Sequence, residues 1–230
     1  MDKPARALVV ALRDGLAELA DPAKAPDMQR YMRSDMPFRG VQKPARRALA
    51  TRVFPAFPLP DKDSWLAAVT ELWREATYRE ERYLAIELTG RRNYDRWQQP
   101  DLVPLYGELI ETGAWWDFVD EIAIQRIGPL LRAFPGELTP ILRGWATGED
   151  RWKRRTAVIC QIGSKKDTDL ALLSDSVRAN LADPDFFLRK GIGWALRAHA
   201  KIDPDWVRRF VDQHPEMSAL SKREARKHLT

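Results

Sequence analysis

The chain has very little cysteine. Cys160 is the single cysteine among 230 residues, so an internal disulfide cannot form. Its apolar neighbours Val158 and Ile159 indicate a buried, unreactive thiol. Cysteine usage of this kind is typical of a reducing compartment, and we therefore expect a cytoplasmic protein.

The residues that hold metals and nucleotides are also scarce. His199, His214 and His228 lie far apart, and none has a cysteine or carboxylate at metal-ligand spacing. The 12 glycines form no loop of the kind that cradles phosphates. We expect no metal, nucleotide or redox cofactor.

Long apolar runs are missing as well. No uncharged stretch reaches the roughly 18 residues that a membrane-spanning helix needs. Near the N-terminus, Arg6, Arg13 and Asp14 interrupt the apolar core that a signal peptide would require. The sequence therefore predicts a protein that is neither secreted nor membrane-spanning.

The overall composition, with 44% hydrophobic and 31% charged residues, is typical of a soluble globular protein. Because the composition shows no break, we predict a single domain or repeat array over residues 1–230. The net charge of +5 favours a polyanionic partner. This bias is moderate, since 33 acidic residues accompany 38 basic ones.

Apolar residues recur with helical spacing, and no alternating pattern of the strand type competes with it. Clusters of proline, glycine and aspartate separate the helical segments. The predicted segments run from Ala5 to Ala20, Ser64 to Leu88, Asp101 to Ala123, Asp150 to Ile162, Asp167 to Leu181 and Asp185 to Ala200.

Four of the segments align as an internal repeat. The aligned tetrapeptides are Tyr83-Leu84-Ala85-Ile86, Asp117-Phe118-Val119-Asp120, Arg155-Thr156-Ala157-Val158 and Lys190-Gly191-Ile192-Gly193. Their offsets of 34, 38 and 35 residues are close to those of HEAT-like arrays, in which each repeat is a helix pair. We therefore predict an all-α fold, a curved solenoid of HEAT-like helical repeats (an α-α superhelix).

A helical wheel drawn on this repeat gives one apolar stripe, which we predict to face the core. Its positions are Ala85, Val119, Ala157, Ile192, Leu84, Phe118, Leu88, Ile122, Cys160, Ala195, Ala123 and Leu196.

The other side of the wheel carries Trp116, Asp120, Arg155 and Trp194. Tryptophans that point away from a core favour a binding face, because burying an indole is worth several kcal/mol. An aromatic wall beside a carboxylate suits a cationic partner. The plainer alternative is a core tryptophan next to a solvated aspartate.

Basic residues gather in short clusters. They are Arg46-Arg47, Arg91-Arg92, Arg151 to Arg155, Arg189-Lys190, Arg208-Arg209, Lys222-Arg223 and Arg226-Lys227. Each cluster alone is typical of a solvated helix face, but along a solenoid such clusters can follow a phosphate backbone. Duplex nucleic acid is the partner that matches best.

Residues spread over nearly the whole chain carry a family resemblance. The matching pieces are Arg30-Tyr31-Met32 with Phe38 and Gly40, Pro44 with Arg46-Arg47, Trp115-Trp116-Asp117-Phe118-Val119-Asp120, Trp152 with Arg155, Gly193-Trp194 with Leu196-Arg197, and Leu220-Ser221-Lys222-Arg223-Glu224-Ala225. In their order and spacing, the chain resembles the AlkD-like DNA alkylation repair glycosylases, which are built of HEAT-like repeats.

The resemblance implies a monofunctional glycosylase that removes cationic alkylated purines, such as N3-methyladenine and N7-methylguanine, from double-stranded DNA. It implies no metal and no cofactor, a monomer, and a cytoplasmic, nucleoid-associated place of action in a bacterium. It also implies a reaction without a base-specific pocket, unlike that of glycosylases that extrude the base.

The same resemblance assigns the site residues. The catalytic ones are Asp120, Trp116 and Trp194. It also gives Arg155 as a DNA-binding residue, and we predict Arg47, Lys43, Arg197, Lys222 and Arg223 as further ones. Asp120 would stabilise the oxocarbenium-like sugar and orient a water, the tryptophans would flank the nucleotide, and Arg155 would hold a phosphate. No lysine stands in the matching register, which argues against a Schiff-base lyase step.

Some positions depart from the family or remain open. Met36 and Lys43 differ from the residues expected near the N-terminal DNA contact. Asp117 is a competing carboxylate, roughly 100° around the helix from Trp116. Arg197 could pair with an acidic neighbour instead of a phosphate. The alternative function is a non-enzymatic solenoid that binds branched or damaged DNA, or a protein.

Overall fold

The structure, a computed structural model, describes residues 1–227 and Leu229. Helices joined by turns and irregular segments make up these residues, and no strand occurs among them, so the predicted all-α class is confirmed. His228 lies outside the described residues. The chain forms two compact units, Met1–Trp97 and a second one that begins at Gln98. The single domain over residues 1–230 stays a prediction.

The first unit contains five α-helices among its residues. They are α1 (Lys3–Glu18), α2 (Ala25–Met32), α3 (Lys43–Ala56), α4 (Lys62–Arg74) and α5 (Arg79–Thr89). Helix α1 packs against α3 and α4, and α4 packs against α5.

The described part of the second unit contains nine. They are α6 (Val103–Gly113), α7 (Trp116–Ile122), α8 (Gly128–Ala133), α9 (Pro135–Thr147), α10 (Arg151–Ile159), α11 (Leu170–Arg178), α12 (Phe186–Ala200), α13 (Pro204–Gln213) and α14 (Ala219–Arg226). A π-helical turn, Ala123–Ile127, joins α7 to α8. Helix α10 packs against α7 and α12, and α12 packs against α14.

Aspartate side chains start many of these helices. Asp150 accepts hydrogen bonds from the backbone N–H groups of Trp152 and Lys153 at the start of α10. Asp185 accepts one from Leu188 in the first turn of α12. Such caps satisfy N–H groups that have no partner within the helix. The two aspartate caps determine where α10 and α12 begin, and therefore where Arg155 and Gly191 lie along these helices.

The predicted core stripe is confirmed. Its four repeats fall on α5, α7, α10 and α12. Ala85, Val119 and Ile192 are fully buried, and every other stripe position is at most 4% exposed. Burial of this one face fixes which sides of the four helices are left for a site.

Two of the predicted helical segments are not continuous, because each contains two α-helices in the structure. The segment from Ser64 to Leu88 is interrupted between α4 and α5, where the carboxylate of Glu81 accepts hydrogen bonds from the N–H groups of Thr77 and Tyr78. The segment from Asp101 to Ala123 is interrupted at Ala114, which has a left-handed backbone (φ 42°). Both breaks leave the apolar periodicity nearly in phase, and periodicity alone therefore did not reveal them.

Six helices lie outside the predicted segments: α2, α3, α8, α9, α13 and α14. Five of them carry a proline in the first turn, and prolines had been interpreted as separators. Proline is well tolerated there, since its missing N–H would have no partner in the helix. The prolines of these helices therefore mark beginnings, not interruptions.

Candidate active site

An aromatic cluster fixes the start of α7. Trp115 precedes the helix with an extended backbone. Its ring centroid lies 6.2 Å from that of Trp152 on α10 and 5.4 Å from that of Phe187 on α12. Rings at these distances and tilted angles attract one another. The cluster holds the first turn of α7 against α10 and α12, and leaves Trp116 partly exposed.

Asp120 lies one helical turn after Trp116 and binds the guanidinium of Arg155. Nε of Arg155 donates to Oδ1 of Asp120 at 2.7 Å, and Nη2 donates to Oδ2 at 2.8 Å. This two-point contact fixes the plane of the carboxylate as well as its position. The side chain of Asp120 is 16% exposed and that of Arg155 only 5%, so solvent reaches the pair mainly from the aspartate side.

The guanidinium has a third contact on α12. Nη1 of Arg155 donates to the backbone carbonyl oxygen of Phe187. An arginine side chain carries five N–H donors, and these three bonds leave two of them for another acceptor. Arg155 thus joins α7, α10 and the first turn of α12.

Burial raises the pKa of Asp120 above its ordinary value. The hydrogen bonds and charge of Arg155 act in the opposite direction, while the neighbouring charge of Asp117 adds to the increase. Both oxygens of Asp120 accept hydrogen bonds, which is how a carboxylate, and not a carboxylic acid, uses its two oxygens. The site therefore holds an anion that is costly to desolvate, kept in place by one fixed cation.

One face of α12 completes the site. Phe187, Gly191 and Trp194 follow each other at helical spacing, so they share that face. Gly191 lies against the guanidinium of Arg155. Trp194, one turn further, packs partly on the core of the second unit and remains partly exposed. The structure thus brings Asp120 and Arg155 into direct contact and sets the two tryptophans on the neighbouring helices α7 and α12.

This geometry occurs in a chain whose residues 12–229 match the model of one protein family, described as DNA alkylation repair enzyme. The chain belongs to the DNA alkylation repair enzyme family. The resemblance predicted from the sequence is confirmed, and the family gives the protein an enzymatic role in DNA repair, with DNA as its partner.

A solved structure agrees with the family. The "Predicted DNA alkylation repair enzyme from Enterococcus faecalis" superimposes with a TM-score of 0.83 at 29% identity, over 92% of this chain and 97% of that one. The predicted helical-repeat fold is confirmed by this likeness. Comparison with the curated proteins gives no match.

In this family member, the placement of Arg155 differs from the sequence-based expectation. The wheel puts Arg155 on the open face, but the residue is only 4% exposed. The expectation was wrong because the wheel treats each helix alone, whereas the contacts with Asp120 and Phe187 come from two other helices. Its predicted phosphate contact stays a prediction. Such a contact would have to use the two N–H groups of Arg155 that bind neither Asp120 nor Phe187.

The other predicted DNA-binding residues occupy different settings. Lys43 and Arg47 are exposed on α3, and Arg223 is exposed on α14. Lys222 is half-buried, and its Nζ donates to the carbonyl oxygen of Pro215 at 2.7 Å. Arg197 pairs with the carboxylate of Glu224, as the open alternative in the sequence analysis allowed.

Glu224 is the centre of a second ionic cluster, between α12 and α14. Its carboxylate accepts a hydrogen bond from Nζ of Lys190 at 2.7 Å and another from Arg197. The bond from Lys190 is the main reason that the pKa of Glu224 falls to about 2. Gly193 permits the close packing of the two helices, because a Cβ there would lie 2.4 Å from Cβ of Glu224.

Sequence reasoning missed the contributions of Phe187 and Gly191. A backbone carbonyl carries no signal of its own in a sequence. Gly191 stands in the aligned repeat, but the alignment alone gives it no role beyond its register position. The available signal was the residue type. Gly191 stands at a position where the other aligned segments carry larger residues, Leu84, Phe118 and Thr156.

A cavity of about 20 Å³ lies apart from these residues, beside His199. Its lining includes Gln161, Lys165 and Thr168, and none of the four central site residues. Neither ring nitrogen of His199 has a hydrogen-bond partner among the described residues.

Within residues 1–227 and Leu229, no group of three or more histidine, cysteine or acidic side chains could hold a metal ion. Over the same residues, no helix is long and apolar enough to cross a membrane.

Proposed function

We propose that this family member is a monofunctional DNA glycosylase. It hydrolyses the N-glycosidic bond of cationic alkylated purines, N3-methyladenine and N7-methylguanine, in duplex DNA. The observation that carries the proposal is the carboxylate of Asp120, one turn from Trp116 and fixed through both oxygens by Arg155.

The chemistry needs little from the protein beyond charge and position. Alkylation at N3 or N7 makes the purine positive, so that the electron pair of the breaking C1′–N bond neutralises the leaving base. No general acid is required. Water then adds to C1′ of the oxocarbenium-like sugar and gives up one proton. Asp120 can orient that water and accept the proton, and its raised pKa makes it a better acceptor than an ordinary aspartate.

The low exposure of Asp120 strengthens its effect on the cationic sugar. Two unit charges about 4 Å apart attract by about 1 kcal/mol in water, but by about 4 kcal/mol at an effective dielectric constant of about 20. Because Arg155 already holds the carboxylate, little reorganisation is needed when the positive charge develops. The difference of about 3 kcal/mol corresponds to a rate factor of about a hundred.

The partly exposed rings of Trp116 and Trp194 are proposed to flank the nucleotide. An indole face near a cation contributes about 0.5–2 kcal/mol, depending on how far water is excluded. The two free N–H donors of Arg155 are proposed to reach the adjacent phosphate. Lys43, Arg47 and Arg223, all exposed, would make further phosphate contacts.

The test is base release from duplex DNA that carries N7-methylguanine or N3-methyladenine. Wild-type protein should release the free base and leave an abasic site without strand cleavage. The Asp120→Asn variant should lose about 10²–10³-fold in single-turnover rate and much less in affinity for duplex DNA, because the carboxylate acts mainly in the transition state. Asp117→Asn, three residues earlier on the same helix, is the matched control and should retain excision within a few-fold.

No release above the Asp120→Asn background would contradict the proposal. In that case the salt dependence of binding separates the remaining possibilities. Phosphate binding weakens steeply as salt increases, and this would favour a non-enzymatic protein for branched or damaged DNA. A flat salt profile would favour a protein partner.

A further inference from the structure

Gly191 has no side chain, and its Cα lies next to the guanidinium of Arg155, which binds Asp120. A Cβ at this position would lie 2.9 Å from Nη1 of Arg155 and 3.3 Å from Cγ2 of Ile159. Favourable contacts between heavy atoms that share no hydrogen bond begin near ~3.5 Å. Any side chain at position 191 therefore requires either the guanidinium to move or α12 to shift away from α10.

A long arginine side chain usually moves at little cost, but this one is fixed at its end. Nε and Nη2 bind the two oxygens of Asp120, and Nη1 binds the carbonyl oxygen of Phe187. Nη1 is also the atom that the added Cβ would meet. A shift of Nη1 turns the whole planar guanidinium, so the bonds to Asp120 lengthen or lose their alignment.

Helix stability gives no reason for a glycine here. Gly191 lies in the interior of α12, where alanine would be the more stable residue. Its φ is not in the left-handed region that favours glycine. The reason for a glycine is steric: the guanidinium of Arg155 occupies the space that the Cβ of an alanine would need.

We propose that Gly191 is a positioning residue for the reaction: the space beside it lets Arg155 hold the carboxylate of Asp120 in its productive orientation. The consequence for catalysis rests on the proposed glycosylase function, whereas the consequence for the geometry of the pair does not. Gly191 touches no substrate in this proposal and acts only through Arg155.

The test compares Gly191→Ala with Gly144→Ala. Gly144 lies in the interior of α9, and a Cβ built there meets nothing within 4 Å. Both variants add one methyl group and the same gain in helix propensity, so their difference reports the contact with α10. In single-turnover assays on alkylated duplex DNA, we expect Gly191→Ala to lose about tenfold to a hundredfold and Gly144→Ala to match wild type.

A second readout follows the site without any substrate. The carboxyl carbon of Asp120 is titrated by NMR, and the Nε–H signal of Arg155 is recorded in the same samples. Burial, Arg155 and Asp117 together set the pKa of Asp120, and Arg155 lowers it. Loss of the fixed guanidinium should therefore raise this pKa in Gly191→Ala and change the Nε–H signal, with no change in Gly144→Ala.

A double-variant cycle shows whether the effect passes through Arg155. Lysine has no atom equivalent to Nη1, so Arg155→Lys removes the group that the alanine would meet. Adding Gly191→Ala to Arg155→Lys should leave the titration of Asp120 unchanged. If the alanine merely separated α10 from α12, it would shift the titration in both backgrounds.

Two results would overturn the proposal. One is a Gly191→Ala protein in which Asp120 titrates as in wild type and the Nε–H signal of Arg155 is unchanged. The other is a shift that persists in full in the Arg155→Lys background. A wild-type protein that releases no base would refute the glycosylase function alone, because the NMR comparison would still decide whether Gly191 positions the pair.

Discussion

Replacement of Arg155 by methionine tests whether Asp120 and Arg155 act as one unit. Methionine fills a similar volume but offers no charge and no N–H donor. Asp120 would then remain as a carboxylate that is only 16% exposed and has lost both of its hydrogen bonds from the guanidinium. A buried charge without its partner is among the most destabilising changes that a single substitution can make.

The expected loss is about 3–5 kcal/mol in the free energy of unfolding near neutral pH. Domains are typically stable by about 5–15 kcal/mol, so the variant should still fold with a clearly lower midpoint. The Asp120→Asn/Arg155→Met double variant should be less destabilised than the sum of its two single variants, because it leaves no unpaired charge. The discrepancy expected for residues in direct contact is about 0.5–3 kcal/mol.

The loss should also depend on pH, with a sign that follows from the pKa of Asp120. Arg155 lowers this pKa in the wild type, so its removal raises the pKa further above that of the unfolded chain. A folded state with the higher pKa gains stability relative to the unfolded chain as pH falls, since it takes up the proton first. The difference between Arg155→Met and wild type should therefore shrink from about pH 8 to about pH 5.

Urea unfolding, followed by tryptophan fluorescence and far-UV circular dichroism at both pH values, measures these differences. Asp117→Asn serves as the control, because it removes a charge that raises the pKa of Asp120 but keeps both hydrogen bonds between Arg155 and Asp120. An Arg155→Met loss that is equal at both pH values, together with additivity in the double variant, would refute the reasoning.

Three further predictions concern groups outside the pair. The thiol of Cys160 is buried, and its pKa is raised to about 12, so it should react with a disulfide reagent only after unfolding; rapid reaction of the native protein would contradict this. Burial lowers the pKa of His199, so wild type should lose stability relative to His199→Leu as pH falls from about 7 to about 5, as measured by urea midpoints. Glu224 has its pKa lowered to about 2 by Lys190 and Arg197, so Glu224→Gln should destabilise the protein at neutral pH, with the difference vanishing towards about pH 2. Equal urea midpoints at neutral pH would show that this ionic cluster contributes nothing.

The repeat and its core stripe were predictable because they depend on local spacing. Val119 and Ile192 are buried where the wheel placed them, since a helix buries its apolar side against whatever it meets. The proline-led helices were missed for a local reason as well: proline permits a helix start and also a turn, and the sequence around Pro135 or Pro204 does not separate the two.

The candidate site also has a part that the sequence predicts and a part that it does not. Trp116 and Asp120 could be paired from the sequence, because residues four apart on one helix are neighbours whatever the fold. The role of Arg155 could not be obtained in this way. A guanidinium on an isolated helix wheel looks solvated, and its burial follows from acceptors on α7 and α12 that lie 35 and 32 residues away along the chain.

The sequence by itself therefore determined the helical class, the repeat, the core face and the presence of a carboxylate beside indoles. Each of these depends on residue type and periodicity over a few turns. Only the tertiary structure decided that Arg155 turns inward to hold Asp120, that Glu224 pairs with Lys190 and Arg197, and that Gly191 leaves room for a guanidinium. The reason is that hydrogen bonds and close contacts between distant segments depend on how helices pack, and that geometry has no local pattern in the chain.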